Sequence, residues 1–277
     1  MKDTFNLQRF CKYFKYDLNA ACSWYGISML AVGLMPVVLF VFSIVFSTIF
    51  TGQVSPIQAW SKASIFAVVS LVLLISAPSR LYGHLTDRRS GSDWLLVPAS
   101  SLEKFISMMI VLCIVLPVVF LILFFGSDLL LSAFFPVLYG ESITSSIVSG
   151  VQQVSSYVTE NDMAVTNAMY LLIWASWVTY VLVFALGAIC FKKNKIAKTF
   201  LAIIAFSAIC SILIGFIVMA CNNWNINIDE DMVEAFLDSL TPEKLQFRIN
   251  LIMNLFTGIP IVALMAFIFL RIRTLKH

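Results

Sequence analysis

Long apolar runs alternate with short polar stretches along the chain. Six runs are nearly free of charge: Gly26 to Phe50, Trp60 to Tyr82, Lys104 to Gly126, Asn167 to Cys190, Ile196 to Ala220 and Asn250 to Leu270. Each reaches the roughly 20 residues that a helix rising about 1.5 Å per residue needs to cross about 30 Å of hydrocarbon. Barrel strands would alternate apolar and polar positions, whereas these runs are continuous, so the backbone must satisfy its own hydrogen bonds as helix. The pattern predicts an all-α polytopic fold, residues 1–277 forming a single transmembrane domain of six helices. The first run begins too late and is too long for a signal-peptide core, and no small-residue cleavage site ends it, so it is expected to stay in the mature protein.

The polar stretches carry structure of their own. Before the first run, Phe5, Phe10, Phe14 and Leu18 fall near helical spacing with Arg9, Lys12 and Lys15 on other faces. Residues 1–25 therefore read as an amphipathic helix, either lying in the membrane interface or serving as a simple basic anchor. Residues 127–166 and 221–249 are expected to hold further helices. In the first, Ile143, Ile147, Val151, Val154 and Val158 form a stripe; in the second, Thr241, Pro242 and Glu243 read as a helix start that leads into the sixth run. Only a few residues around "KKNK" join the fourth and fifth runs, which must then be antiparallel neighbours. Ser207, Ser211 and Gly215 recur at every fourth position of the fifth run, a strip of small residues that admits another helix, from this chain or from a second subunit. Pro36, Pro117 and Pro260 invite kinks inside the runs.

Composition agrees with the pattern: 60% of the 277 residues are hydrophobic and 12% charged, which excludes ordinary water-soluble packing. The charges are sorted by side. Of the 18 basic residues, 15 fall on one side: before the first run, between the second and third or between the fourth and fifth, after the sixth, or, as Arg80, Lys104 and Lys198 do, at the run ends that border those loops; only Lys62, Lys244 and Arg248 fall on the other side. Positively charged loops stay cytoplasmic, so both termini and the loop 83–103 are placed there. Lys62 and Arg80, about 27 Å apart along a helix, are each expected to snorkel to opposite surfaces. The basic side faces anionic lipid, and no nucleic-acid partner is needed to explain it. The six cysteines lack CxxC spacing and read as packing residues.

Chemistry-bearing motifs are missing. There is no HExxH, no GxSxG, no cysteine-histidine cluster and no Gly-Lys pair for a nucleotide-binding loop. The expectation is a chain without catalytic, cofactor or metal residues, so that any ATP-driven work would belong to another subunit. The middles of the runs also lack ionisable residues, which weakens ion-coupled transport.

One cytoplasmic stretch remains, "RRSGSDWLLVPASSLEKF" from Arg88 to Phe105. Ser100 and Glu103 fit a capping box that starts the third run. Trp94, Leu95, Leu96 and Val97 beside Arg88, Arg89 and Asp93 form an apolar knob ringed by charge, suited to docking a protein or to anchoring in the lipid interface. With its six runs, N-terminal helix and long loop between the second and third runs, the chain resembles the membrane subunit of ABC transporters of the type-2 permease family. The resemblance implies that Arg88, Arg89, Asp93, Trp94, Leu95 and Leu96 form a coupling element docked into a separate cytoplasmic ATP-binding-cassette ATPase, which would hold ATP and Mg. It implies a connecting helix at Phe5, Phe10, Phe14 and Leu18, a homodimer or heterodimer with a similar permease, and a place in the inner membrane of a bacterium. The corresponding function is export of an amphipathic or bulky substrate; the alternative is a non-transporting scaffold or sensor subunit of an envelope-stress or resistance system.

Overall fold

The computed structural model describes residues 5–50, 52, 56–86, 91, 94, 96–149, 160–223 and 242–274, with backbone alone at 160–173, 217, 221–223, 242–247, 249 and 252. It is 90% helix, with no strand among the described residues, as the continuous apolar runs predict. Helix α1 (Leu7–Gly33) starts on Asn6, whose side chain accepts from the amides of Gln8 and Arg9, and ends at Leu34. Helix α2 (Met35–Phe50) follows at a 41° bend, with Pro36 in its first turn. Helix α3 (Ala59–Leu81) runs into a short 3-10 turn, Gly83–Thr86. Helix α4 (Ser101–Phe134) is a 34-residue rod; α5 (Glu160–Cys190), α6 (Lys195–Asn223) and α7 (Pro242–Thr274) complete the chain.

Two departures from the sequence pattern concern breaks. The amphipathic segment and the start of the first run form one uninterrupted helix through Gly26, and the break comes later, at Leu34. Helix α4 does not stop near Gly126 but continues to Phe134, and it absorbs Pro117 through a π-helical turn at Val111–Val115. A wide turn of this kind removes the demand for the amide that proline lacks. Pro260 lies within α7 without interrupting it.

Helix α5 is the hub: α7, α3 and α6 all pack on it, while α4 lies against α1, α2 and α7. Leu73, Leu112, Phe124, Leu182, Ala185 and Ile268 are at most 2% exposed and mark the shared core. Phe66 stacks on Phe120 and meets Phe124 edge-on, with centroids 5.8 and 5.1 Å apart. Such ring pairs fix relative helix position where lipid supplies no hydrophobic drive to associate. Close approach is bought with glycine at two crossings. A Cβ on Gly33 would lie 2.5 Å from that of Leu123, and one on Gly187 would collide with the Thr199 side chain. The second contact closes the α5–α6 hairpin predicted from "KKNK", whose turn ends on Asn194 at φ 51°, a conformation asparagine tolerates.

Among the described residues four helices are long and apolar enough to cross a membrane (Ala59–Leu81, Ser101–Phe134, Lys195–Ala220 and Met253–Thr274), and the bent α1–α2 pair makes a fifth if it is counted as one span. In α5 the apolar part described with side chains, Trp174–Cys190, is shorter than these.

At one end of the bundle the chain turns back on itself. Asp128, fully buried in α4, accepts from the Tyr139 hydroxyl (2.6 Å) and the Ile143 amide (2.7 Å). Lys62 is 1% exposed; its ammonium donates to the Glu141 carbonyl at 2.7 Å and lies 3.5 Å from the Tyr139 ring centre. The expectation that Lys62 snorkels outward is therefore corrected. The loop after α4 supplies a carbonyl and a ring face in place of water, while Arg80 at the other end of α3 is exposed. Ile143 begins a short helix over 143–149; Val151, Val154, Val158 and Thr241 lie outside the described residues.

Candidate functional site

At the opposite end from Lys62, the chain's loops meet. The Lys195 ammonium donates to the Gly83 carbonyl, and the Thr86 hydroxyl donates to the Phe191 carbonyl at 3.3 Å, so the turns after α3 and α5 are joined. Phe105 of α4 meets Phe269 of α7 edge-on at 5.5 Å. The start of α1 lies here too, so this one end gathers Arg9, Lys12, Lys15, Arg80, Lys104 and the lysines of "KKNK".

The start of α1 faces the loop through a polar stripe. Helical spacing puts every fourth residue on nearly one face, and Arg9, Tyr13 and Asp17 occupy that face opposite Ser100, Glu103 and Ser107 of α4. Arg9 grips Glu103 with two bonds of 2.8 Å, Nε to Oε2 and Nη2 to Oε1. The planar fork of arginine matches a carboxylate in this way. Glu103 is fully buried, and its oxygens also accept from the amides of Asn6 and Ser100, both at 2.9 Å. The capping box expected at Ser100 is present, the Ser100 hydroxyl accepting from the Glu103 amide at 3.3 Å. Its carboxylate does more than cap, since it also fastens α1 to α4.

One turn on, the buried Tyr13 hydroxyl accepts from the Trp94 indole at 3.0 Å. Lys104 donates to the Trp94 carbonyl at 2.7 Å and lies 4.4 Å from the centre of its ring. A further turn on, Asp17 Oδ2 accepts from the hydroxyls of Ser107 (2.5 Å) and Tyr82 (3.0 Å). Burial first, and then the adjoining carboxylate, raise the Tyr82 hydroxyl well above its ordinary range, so it remains a donor. Tyr25 and Ser76, 2.7 Å apart, continue the stripe between α1 and α3.

These positions decide what the sequence-predicted residues do. Trp94 is half-buried, and its indole nitrogen and its carbonyl are both bonded within the protein, as a half-buried indole requires. Leu96, two residues on, is 80% exposed. Arg88, Arg89, Asp93 and Leu95 lie outside the described residues. Phe14 and Leu18 pack against the core, Phe10 stacks on Phe14 at 5.9 Å, and Phe5 is exposed. Ser207, Ser211 and Gly215 are all exposed, and nothing lies within 4 Å of a Cβ on Gly215, so among the described residues no helix packs on Gly215. Among the described residues no cluster of histidine, cysteine or carboxylates is arranged to hold a metal.

The sequence reasoning missed Tyr13, Asp17, Tyr82 and Ser107, and treated Arg9 only as a topological charge. The available signal was the recurrence of Arg9, Tyr13 and Asp17 at every fourth position of α1, on one helical face.

The architecture defines an all-helical chain with the spans of a multi-pass membrane protein and a polar seam at one end. No family model, no curated protein and no solved structure matches it.

Proposed function

We propose that the chain is the permease subunit of an ATP-driven transporter in a bacterial inner membrane, with six spans and both termini cytoplasmic. A separate ATP-binding-cassette ATPase, carrying ATP and Mg, docks on the loop 83–103 and powers export of an amphipathic or bulky substrate. The observation that carries this reading is the loop's construction. Leu96 is 80% exposed, while Trp94 beside it is fastened to α1 through Tyr13 and to α4 through Lys104. A loop that transmits motion needs a free contact surface on a base that cannot slip, and the seam joins that base to α1, α3 and α4. The gathering of basic residues at this end supports the cytoplasmic placement. The outward-facing Ser207, Ser211, Gly215 strip supports pairing with a second, similar permease.

Leu96→Asp tests it, because Leu96 is 80% exposed and its replacement leaves the Trp94 anchors in place. Co-expressed with an ATP-binding-cassette ATPase encoded beside it, the wild-type chain should co-purify with that ATPase. Leu96→Asp should weaken the complex by about 2 to 4 kcal/mol, roughly 30-fold to 1,000-fold. Full retention of the ATPase by a folded Leu96→Asp protein would sink the docking role. Substrate-stimulated ATP hydrolysis separates transport from a non-transporting scaffold, which would use the same fixed loop without stimulation.

A further inference from the structure

Beside the seam, between α1 and the turn after α3, lies a cavity of about 180 Å³. Its walls include Tyr16, Trp24, Tyr82, His84 and Trp94, and Asp17 contributes to its lining. We propose that this cavity binds an organic ammonium group, from either a lipid headgroup or a free amine. The proposal is independent of ATP-driven transport.

The chemistry comes from the lining. Aromatic faces attract cations through their negative π-faces, and several rings around one space favour an ammonium over an anion or a neutral alcohol. Both hydroxyls that bind Asp17 take the same oxygen, Oδ2. Among the described residues Oδ1 accepts from no donor, and it is not sealed off from solvent. It is therefore free to accept from an ammonium N–H. Among the described residues that line the cavity there is no lysine or arginine. A lone carboxylate without a second ligand does not make a divalent-metal site, and no metal-ligand cluster occurs among the described residues.

The walls are suited to admitting a ligand. Trp24 and Tyr16 are 53% and 58% exposed, and Trp24 lies against His84 with centroids 4.6 Å apart. Tyr82 and Asp17 are held at the base by the seam, so the site is formed before any ligand arrives. Its level is the end of α3, beside Leu81, where a membrane-crossing helix emerges and aromatic residues sit among headgroups. An amine-bearing headgroup can reach it from the side, and a free amine from water.

The test uses the full chain in two settings. In detergent, radiolabelled ethanolamine and choline are measured by equilibrium dialysis, with the unlabelled amines, ethylene glycol and sodium chloride as competitors. In nanodiscs of mixed phosphatidylethanolamine and phosphatidylglycerol, the lipid retained on extraction is identified by native mass spectrometry. Saturable binding that only the organic amines displace identifies a free-amine site. Selective retention of phosphatidylethanolamine without free-amine binding identifies a headgroup site. Trp24→Leu, which removes a half-exposed ring and spares the seam, should weaken either signal about tenfold, and Asp17→Asn should reduce it further. Neither signal in the wild type, or a Trp24→Leu protein that binds as the wild type does, would overturn the proposal.

Discussion

Asp17 offers the most direct measure of what the seam contributes. Its Oδ2 takes the hydroxyls of Tyr82 and Ser107, which are 4% and 0% exposed, so Asp17→Ala removes the acceptor of two buried donors. A buried donor left unpaired costs about 1 to 3 kcal/mol, so the pair should cost about 2 to 6 kcal/mol. That is a large share of a total stability of about 5 to 15 kcal/mol. The informative comparison is the triple variant Asp17→Ala, Tyr82→Phe, Ser107→Ala, which removes both stranded hydroxyls. Burying apolar groups where a satisfied polar network stood is often nearly neutral, so the triple variant should recover most of the loss. The assay is reversible unfolding in mixed micelles followed by circular dichroism, with wild type, single and triple variants side by side. An Asp17→Ala loss below about 1 kcal/mol, or a triple variant no more stable than the single, would refute the reasoning. The first outcome would mean that the hydroxyls find other partners, and the second that Asp17 matters for reasons other than these two bonds.

Two further outcomes follow from packing and topology. Gly187→Leu should prevent the α5–α6 hairpin from closing, because a side chain there meets Thr199, while Gly215→Leu should leave monomer stability unchanged and reduce only subunit crosslinking in native membranes; equal damage from both would contradict the outward placement of the Gly215 strip. If both termini are cytoplasmic, as proposed, an impermeant thiol reagent added outside spheroplasts should label Cys221 and spare the exposed Cys11, as judged by a mass-tag gel shift, and the reverse pattern would invert every side assignment.

Much of the fold was legible because lipid imposes a simple rule: long uncharged runs must be helices, and their lengths and flanking charges are local properties. The capping box at Ser100 and Glu103 and the α5–α6 hairpin were legible for the same reason, each lying within a few residues of sequence. The seam was not. Arg9 meets Glu103 across 94 positions and Trp94 meets Tyr13 across 81, and no local pattern says which polar face finds which partner. The inward turn of Trp94 was hidden because an indole beside three aliphatic residues has the same pattern whether it faces solvent, lipid or a tyrosine hydroxyl. Lys62 was misread through the same gap. A lysine near a helix end ordinarily reaches for water, and only the return of the chain to Glu141, 79 positions later, supplies a substitute.

The two ends of the bundle use one device. Asp17 holds Tyr82, the residue that ends α3, and Asp128 holds Tyr139, which ends the turn after α4. In each case a buried carboxylate fixes the first residues of a loop leaving a membrane-crossing helix. Between these clamps the described contacts are mostly apolar rings and aliphatic chains, the Tyr25–Ser76 bond apart, and α4 carries its π turn in that stretch. Apolar contacts in lipid lose little when helices slide, because lipid tails replace them, whereas a stranded buried carboxylate has no such substitute. Relative motion is therefore cheapest in the middle of the bundle and dearest at its ends. Force applied to the loop after α3 would be carried by the seam into α1 and α4 together, and the π turn is where α4 can bend without breaking either clamp.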